Sequence, residues 1–527
     1  MKMKERVEKL EEQRRRNEGM GGPERIERQH AKGKLTARER LKKLFDEGTF
    51  EEMGLLAGAE GNLPEEEDAS RPSPADGVIT GVGEIDGRPV AAAIYDFTVF
   101  GGSIGTVGEL KVTRLRDLAL KNRIPMVWLV DSGGARLEAG GGVDPKRLAS
   151  FADTGYLFRE QVVMSGVVPQ VAAMVGPGAA GTAYIPALAD FVPMVKGTSS
   201  IAIGGPYLVE SVVGEKVTEE ELGGSKVHNE VSGVADAEYA DDATCLEAIR
   251  EYLSFFPSHC EERPPRKPTA DPFDRRDDEL LKVVPESPRQ AFDMHKVILS
   301  LVDDRKFFPM KPRFARNLIT GLARIDGYPV GVVANNSMYL GGILDVNASD
   351  KAARFVNLCD AFNIPLVFLQ DVPGFMVGTK VEQQGIIRHG AKMMYAVASA
   401  TVPKFTVVVR KGYGAGYYVM NGRAFEPDLL VAWPGAEIGV MGPEGMVSIA
   451  ARKLLQGAES PEAAEAMKKE LAEGLRQHIR IERTAAMGLV DDVVDPRDTR
   501  RLLARALKRT AHKKVERPFR RREISPV

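Results

Sequence analysis

The sequence predicts an α/β protein in which one domain is written twice. A segment beginning at Val78, VITGVGEIDGRPV, returns at Leu318 as LITGLARIDGYPV, so that Ile79 meets Ile319 at an offset of 240 residues. Short apolar runs of strand length alternate with amphipathic stretches in both halves, the pattern of parallel β-α units. Between the halves, residues 255–276 (FFPSHCEERPPRKPTADPFDRR) replace periodic apolar residues with proline and charge, and read as a linker.

The register of the repeat holds without a gap for more than fifty residues. Gly101 and Gly102 match Gly341 and Gly342, Arg114 matches Arg354, Ile124-Pro125 matches Ile364-Pro365, and Asp131 and Gly134 match Asp371 and Gly374. The offset then drifts to 234, where SGVVP from Ser165 meets SATVP from Ser399, and to 237, where Gly205-Pro206 meets Gly442-Pro443. Small loop insertions account for the drift, and a period this long is a duplicated domain, not a solenoid unit. The expected strands include PMVWLV (125–130), VAAMV (171–175), PLVFLQ (365–370) and KFTVVVR (404–410). The domains expected are a helical, charge-rich arm over residues 1–60, an N-terminal domain over 61–265 and a C-terminal domain over 266–527.

Composition narrows the function classes. A chain of 527 residues exceeds one hydrophobic core, and 43% apolar with 28% charged residues is ordinary for a globular protein. A formal net charge of −2 argues against nucleic acid as the main partner. Cys245, Cys260 and Cys359 are too few and too scattered for a disulfide framework or a four-thiolate zinc site, which fits a reducing cytoplasm. The charged start, MKMKERVEKLEEQRRR, lacks the apolar core of a secretory signal, and no uninterrupted apolar stretch reaches the ~18 residues of a membrane span. Fifty-three glycines, about one residue in ten against a usual ~7%, exceed what surface turns require.

Each half sets a glycine-rich segment after an apolar strand and before a helical pattern: GPGAAGTAY from Gly176 and KGYGAGYYVM from Lys411. The first N–H groups of a helix have no internal partner, and residues without bulk let a carbonyl approach them, so such a segment can hold an oxyanion. The same glycines could instead be caps or close strand–helix contacts. Two copies at corresponding positions favour the oxyanion reading. No HExxH, GxSxG or Walker sequence competes with it. Ser132, in DSGGAR, lacks a nucleophile elbow, and its glycines read as a turn at a strand end. His389 is as well explained by a helix hydrogen bond as by a base, and no role is assigned to it.

Longer strings carry a resemblance. DFTVFGGSIGTVGELKVTRLRDLA, DSGGARLEAG, GPGAAGTAY, GGSKVHNEVSG, the stretch from DVPGFMVGTK to KGYGAGYYVMNGRAF, and AWPGAEIGVMGPEG resemble the carboxyltransferase (β) subunits of biotin-dependent propionyl-CoA and methylcrotonyl-CoA carboxylases, over residues 26–494. The resemblance implies two crotonase-like domains of the ClpP/crotonase superfamily, each a β-β-α superhelix, in a homo-hexamer of two stacked trimers. It implies transfer of CO2 from carboxybiotin to the α-carbon, or vinylogous γ-carbon, of an acyl-CoA, with the thioester bound by the N domain and biotin by the C domain. By motif, Ala180 and Gly181 supply amides to the thioester oxygen, and Ala415 and Gly416 to the ureido oxygen, with Thr182 and Gly414 as one-residue alternatives. Gly133, Gly134, Ala135, Gly178, Ala179 and Tyr184 line the acyl-CoA side, and Gly374, Phe375, Tyr413, Gly414 and Tyr417 the biotin side. No metal is implied.

Departures from the family sharpen this expectation. Propionyl-CoA carboxylases carry an aspartate after a Gly-Gly-Ala-Tyr string; here the string reads Gly-Ala-Gly-Tyr and Tyr418 takes that place, so acyl specificity falls to Tyr418 and propionyl preference does not carry over. GYGAGYYVMNGRAF leans to the methylcrotonyl type and AWPGAEIGVMG to the propionyl type. Three cysteines cannot build the zinc ribbon of the bacterial acetyl-CoA relative. EAMKK at residues 465–469 imitates a biotin-attachment string, but its helical neighbours read as a solvated helix face, and no ATP-grasp segment is present. Biotin is therefore expected on a partner, a biotin carboxylase or biotin carboxyl carrier (α) subunit. Two alternatives stay open: the α chain of a biotin-dependent decarboxylase, and an inactive paralogue that binds acyl-CoA. A hydratase would leave the second half unexplained.

Overall fold

A computed structural model describes residues 2–61, 72–136 and 156–519, together with residues 138–139, 142–143, 521 and 524–526. The chain divides into two units, Met1–Arg263 and Pro264–Val527, and their sheets share one topology.

Unit 1 contains β1 (Glu51–Met53), β2 (Val78–Ile85), β3 (Arg88–Tyr95), β4 (Met126–Ser132), β5 (Gln170–Ala179), β6 (Pro193–Val195), β7 (Ser200–Ala202) and β8 (Ala237–Tyr239). They run in the order β1-β2-β3-β4-β5-β6-β8, with β7 paired to the last residues of β5. Unit 2 contains β9 (Phe307–Met310), β10 (Leu318–Ile325), β11 (Tyr328–Asn335), β12 (Leu366–Val372), β13 (Lys404–Tyr413), β14 (Leu429–Ala432), β15 (Glu437–Gly439) and β16 (Asp492–Val493). Their order is β9-β10-β11-β12-β13-β14-β16, with β15 on the last residues of β13. The first three strands of each sheet are antiparallel and the rest parallel.

Local sequence explains this arrangement. The β2–β3 and β10–β11 hairpins turn at Asp86-Gly87 and Asp326-Gly327, with φ of 51° and 71°, and 51° and 76°, the two positive values that a tight hairpin with native twist requires. Every residue of β4 and β12 is buried. Their apolar runs do not alternate because both faces of a parallel strand are covered. β5 and β13 outrun the apolar stretches that announce them: the start of each glycine segment stays extended to pair with β7 or β15.

Helices cover the sheets. The arm folds as α1 (Met3–Glu18), α2 (Pro23–Ala31) and α3 (Ala37–Leu44), and α4 (Thr106–Asn122), α5 (Tyr156–Met164) and α6 (Gly181–Leu188) follow in unit 1. Thr36 and Glu39 close α3 with a capping box. In unit 2, α7 (Val346–Ala361), α8 (Ile386–Ser399) and α9 (Gly414–Val419) repeat α4, α5 and α6, and α10 (Pro461–Ile479) follows. The core of unit 1 packs Val112 and Leu115 of α4 with Trp128. That of unit 2 contains Trp433, whose indole N–H donates to Thr499 Oγ1 at 2.9 Å. No helix among the described residues is long and apolar enough to cross a membrane.

Both units pin the chain before the second strand with a lysine from a helix. Lys111 Nζ donates to the carbonyls of Ala75 (2.8 Å) and Val78 (2.6 Å). Lys351, its repeat partner, is buried and donates to the carbonyls of Lys311 (2.9 Å), Phe314 (2.8 Å) and Leu318 (2.6 Å). Removing the ammonium strands buried acceptors, which costs about 1–3 kcal/mol each when nothing replaces the donor. In a Trp128→Phe background, where Trp433 alone reports unit 2, Lys351→Met should lower the unfolding free energy in urea by about 2–4 kcal/mol. A loss below about 1 kcal/mol would show that the carbonyls find other donors.

Candidate active site

The fourth strand of each sheet leads into a loop that turns at a glycine with positive φ, Gly134 or Gly374. After β4, Gly133 N–H donates to Gly101 O (2.9 Å), Gly134 O accepts from Ile104 N–H (2.8 Å), and Arg136 N–H returns to Ile104 O (3.0 Å). After β12, Gly374 O accepts from Leu344 N–H (3.0 Å) and Met376 N–H donates to Leu344 O (2.8 Å). These are parallel bridges centred on Ala135 and Phe375. In such a bridge the central residue bonds through its neighbours, so the N–H groups of Ala135 and Phe375 point away from the pairing and take no acceptor among the described residues.

A second amide comes from the turn after the fifth strand. Ala180 sits at φ 52°, ψ −119°, a conformation unusual for a residue with a Cβ. Its N–H donates to Ala202 O at 3.2 Å and its carbonyl accepts from Ala183 at 3.1 Å. The next amide, that of Gly181, opens α6 and has no acceptor among the described residues. In unit 2 Gly414 takes the positive φ, 57°, and Ala415 N–H is the open amide that follows. Loop and turn touch. A Cβ on Gly134, whose φ is 91°, would lie 2.8 Å from Ala179 O, and one on Gly416 would lie 3.1 Å from the Gly374 Cα. Each unit thus carries two open N–H groups on a loop and a turn that touch, its rim: Ala135 and Gly181 in unit 1, Phe375 and Ala415 in unit 2.

A buried aspartate underlies each rim. Asp131, fully enclosed, accepts from Gln29 Nε2 (2.8 Å), Lys34 Nζ (2.6 Å) and an Arg40 amino group (2.8 Å), all from the arm. Arg40 also reaches Asp242 (2.7 Å) and the Val175 carbonyl (2.9 Å). Burial drives the Lys34 ammonium below the ordinary lysine range against the pull of Asp131. Asp371 is neutralised otherwise, by a two-pronged contact from Arg410 of its neighbouring strand (3.0 and 2.7 Å), whose guanidinium lies 4.7 Å from the Phe292 ring. At the repeat offset of 234, the residue matching Arg410 is Gly176. A Cβ there would stand 1.9 Å from Asp131 Oδ1 and 2.8 Å from Lys34 Nζ. The glycine leaves the space that the arm's cations fill.

Comparison with known proteins gives this geometry a family. Residues 28–524 match the model of the carboxyl transferase domain. The chain belongs to the carboxyl transferase domain family. It is 43% identical to the propionyl-CoA carboxylase carboxyltransferase subunit of Haloferax mediterranei, covering 100% of both chains. It is 42% identical to the methylmalonyl-CoA decarboxylase subunit alpha of Veillonella parvula, covering 98% of this chain and 97% of that one. The crystal structure of transcarboxylase 12S with methylmalonyl-coenzyme A and methylmalonic acid bound has a TM-score of 0.92 at 43% identity, with 100% of both chains covered. The two units are duplicated crotonase-like domains.

Within this carboxyl transferase the motif residues take different places. Gly181 and Ala415 hold open amides, joined by Ala135 and Phe375 from the facing loops. Ala180, expected as a donor, has its N–H committed to Ala202. Gly416, also expected as a donor, is buried, and a Cβ there would meet Val372 Cγ2 at 2.7 Å, so its bareness serves the contact with Gly374. Gly178 is buried in β5, in register with Ser132 and Ile201, and Ala179 O accepts from the Thr182 hydroxyl (2.8 Å); both belong to the sheet and turn beneath the rim. Gly133 and Gly134 shape the loop itself. Tyr184 and Tyr418 occupy matching places, each 47% exposed, with Phe158 and Tyr417 against their rings. Tyr413 donates its hydroxyl to Glu437, and the Tyr417 hydroxyl accepts from Arg423 N–H (3.1 Å), so both are structural below the second rim. Lys34 and Arg40 were not singled out by the sequence, although charge inside an apolar strand, Asp131 and Arg410, is the signal that leads to them.

Gly134→Ala forces a side chain onto the Ala179 carbonyl at a positive φ, and should lower carboxyl-transfer rates at least about a hundredfold in a coupled assay. Gly474→Ala, inside α10 and with no atom within 4 Å of the new Cβ, is the control. A Gly134→Ala rate within about threefold of wild type would show that the loop is not part of the reacting rim.

Proposed function

We propose that the chain is the carboxyltransferase subunit of an acyl-CoA carboxylase, moving CO2 from carboxybiotin on a separate carrier chain to the α-carbon of an acyl-CoA, or to the vinylogous γ-carbon of a conjugated one. The observation that carries this is the pair of rims, each made of two open backbone N–H groups. A transfer that creates negative charge on a thioester oxygen in one half-reaction and on a ureido oxygen in the other needs two such rims. In unit 1, Ala135 and Gly181 hold the thioester oxygen, each donor contributing about 3–4 kcal/mol as charge develops there. Phe375 and Ala415 hold the ureido oxygen in unit 2, where no atom lies within 4 Å of a Cβ on Gly374, leaving room for a flat ring. Carboxybiotin, when bound, supplies both the CO2 and the base for the substrate proton. The protein's part is to orient, to hold charge and to exclude water.

Tyr184 flanks the first rim, and Tyr418, at the corresponding place on the second, sets acyl choice. The string at residues 465–469 lies inside α10, whereas an attachment lysine needs a turn, so biotin arrives on a biotin carboxylase or carrier subunit. The transcarboxylase 12S structure is a hexamer assembly. A homo-hexamer of this chain, with each site shared between an N domain and the C domain of another protomer, would cover the exposed apolar residues Ile203, Tyr207 and Val212 and their repeat region at Val440, Ile449 and Leu454. None of Cys245, Cys260 and Cys359 is in a disulfide, which suits a reducing cytoplasm.

Incubated with a biotinylated carrier, a biotin carboxylase, ATP, labelled bicarbonate and a panel of acyl-CoAs, the assembled protein should fix label into at least one thioester. No fixation by an intact hexamer would overturn the carboxylase reading. Flow only from a carboxylated thioester to biotin would assign the decarboxylase direction that the Veillonella relative carries.

A further inference from the structure

Unit 2 braces its turn with a chain of side chains that the matching positions of unit 1 cannot form. β15 pairs with the last residues of β13, Lys411 with Glu437, Gly412 with Ile438 and Tyr413 with Gly439. Tyr413 immediately precedes Gly414, whose positive φ leads to the open N–H of Ala415. The Tyr413 hydroxyl donates to one oxygen of Glu437. Burial and that carboxylate raise it well above the ordinary tyrosine range, so it remains a donor. The other Glu437 oxygen accepts from Arg476 Nε at 2.7 Å. Arg476 stands on α10, and its two amino groups reach Glu473, three residues earlier (3.2 Å), and Glu444 (3.3 Å). Glu444 lies in the helix Pro443–Ala450, which opens just beyond Gly442. A Cβ on Gly442 would lie 3.3 Å from the Tyr413 ring, and one on Gly414 would lie 3.0 Å from the Val440 carbonyl. The segment 437–444 thus packs against the turn, and one guanidinium ties both of its ends to α10.

We infer that Arg476 is a positioning residue for the second rim: through Glu437 and Tyr413 it holds the turn that presents the Ala415 N–H. This rests on the reading that the second rim takes the ureido oxygen. Glu437 is only 8% exposed, and a carboxylate so enclosed needs a cation beside it. The planar fork of Arg476 serves Glu437 and Glu444 together, which a neutral side chain cannot do. Without it, two like charges remain at the ends of the segment and nothing binds them to α10. An amide donor is effective only where charge develops, and a misplacement of about 1 Å can cost about a hundredfold in rate. Unit 1 has no such chain to lose: Ala179 matches Tyr413 at the offset of 234, and Ser200 matches Glu437 at 237.

Amide hydrogen exchange and steady-state transfer by the assembled protein, with Arg476→Gln and Arg476→Lys, test this. In Arg476→Gln the amides of residues 411–418 should exchange at least about tenfold faster than in wild type, and those of the matching turn, 177–184, should not change. The kcat for carboxyl transfer should fall at least about tenfold while the Kd for acyl-CoA stays within about twofold. Arg476→Lys, which keeps a cation beside Glu437, should recover to within about threefold of the wild-type kcat. Unchanged exchange at 411–418, faster exchange in both turns, an unaltered kcat, a parallel loss of acyl-CoA affinity, or no recovery in Arg476→Lys would overturn the inference. If wild type itself takes no CO2 from carboxybiotin, the proposed function falls, and the exchange comparison still decides whether Arg476 holds the turn.

Discussion

A backbone N–H with no acceptor is the constraint around which each unit is built. Kept from water, such a group costs about 1–3 kcal/mol, and folds seldom tolerate it. Among the described residues each unit has two without a protein acceptor, on residues that are exposed or half-buried, and the surrounding structure holds them in place. Ala180 holds a positive φ that costs on the order of 1–3 kcal/mol, secured by hydrogen bonds to Ala202 and Ala183 on either side of its peptide planes. The bridge from Ile104 fixes the loop that presents Ala135, and the one from Leu344 does the same for Phe375. On the proposed reading a developing oxyanion supplies the missing acceptor, and these amides become the source of charge stabilisation in the reaction.

Duplication explains why there are two rims, and divergence explains why they differ. Each sits over a buried aspartate, Asp131 or its repeat partner Asp371, but the cation that neutralises it comes from β13 in unit 2 and from the arm in unit 1. The exchange turns on one position: arginine at 410, glycine at 176. With no side chain at 176, the arm's Lys34 and Arg40 reach Asp131, and docking the arm there places α2 beside the loop of the first rim. An isolated buried ion pair is weak evidence for stability. Its value here lies in where it holds the arm.

Much of the fold was legible in the sequence, and the site less so. The repeat and the buried strands follow from local pattern, because apolar runs of strand length state their own geometry. The glycine segments of the sequence lie in the turns that carry Gly181 and Ala415. The open amides within them fall at other positions than expected, for a physical reason: glycine was read as the mark of an approached backbone, yet Gly416 is bare to pack on Gly374, while the positive φ in unit 1 falls on an alanine. Repeat equivalence at the offset of 234 pairs Ala180 with Gly414 and Gly181 with Ala415, a register that conformation makes plain and composition does not. Ala135 and Phe375 were expected only as lining residues, since their amides are freed by a bridge to chain some thirty residues away. The arm's cations were hidden in a charge-rich stretch whose partners lie in a strand about a hundred residues on.

The most direct measurement is a structure of the hexamer bound to an unreactive acyl-CoA thioether or amide analogue together with biotin. The amide-borne account predicts the acyl oxygen about 2.7–3.1 Å from both Ala135 N and Gly181 N, and the ureido oxygen at like distance from Phe375 N and Ala415 N. Acyl and ureido groups bound away from these four amides, or held by side chains instead, would contradict it.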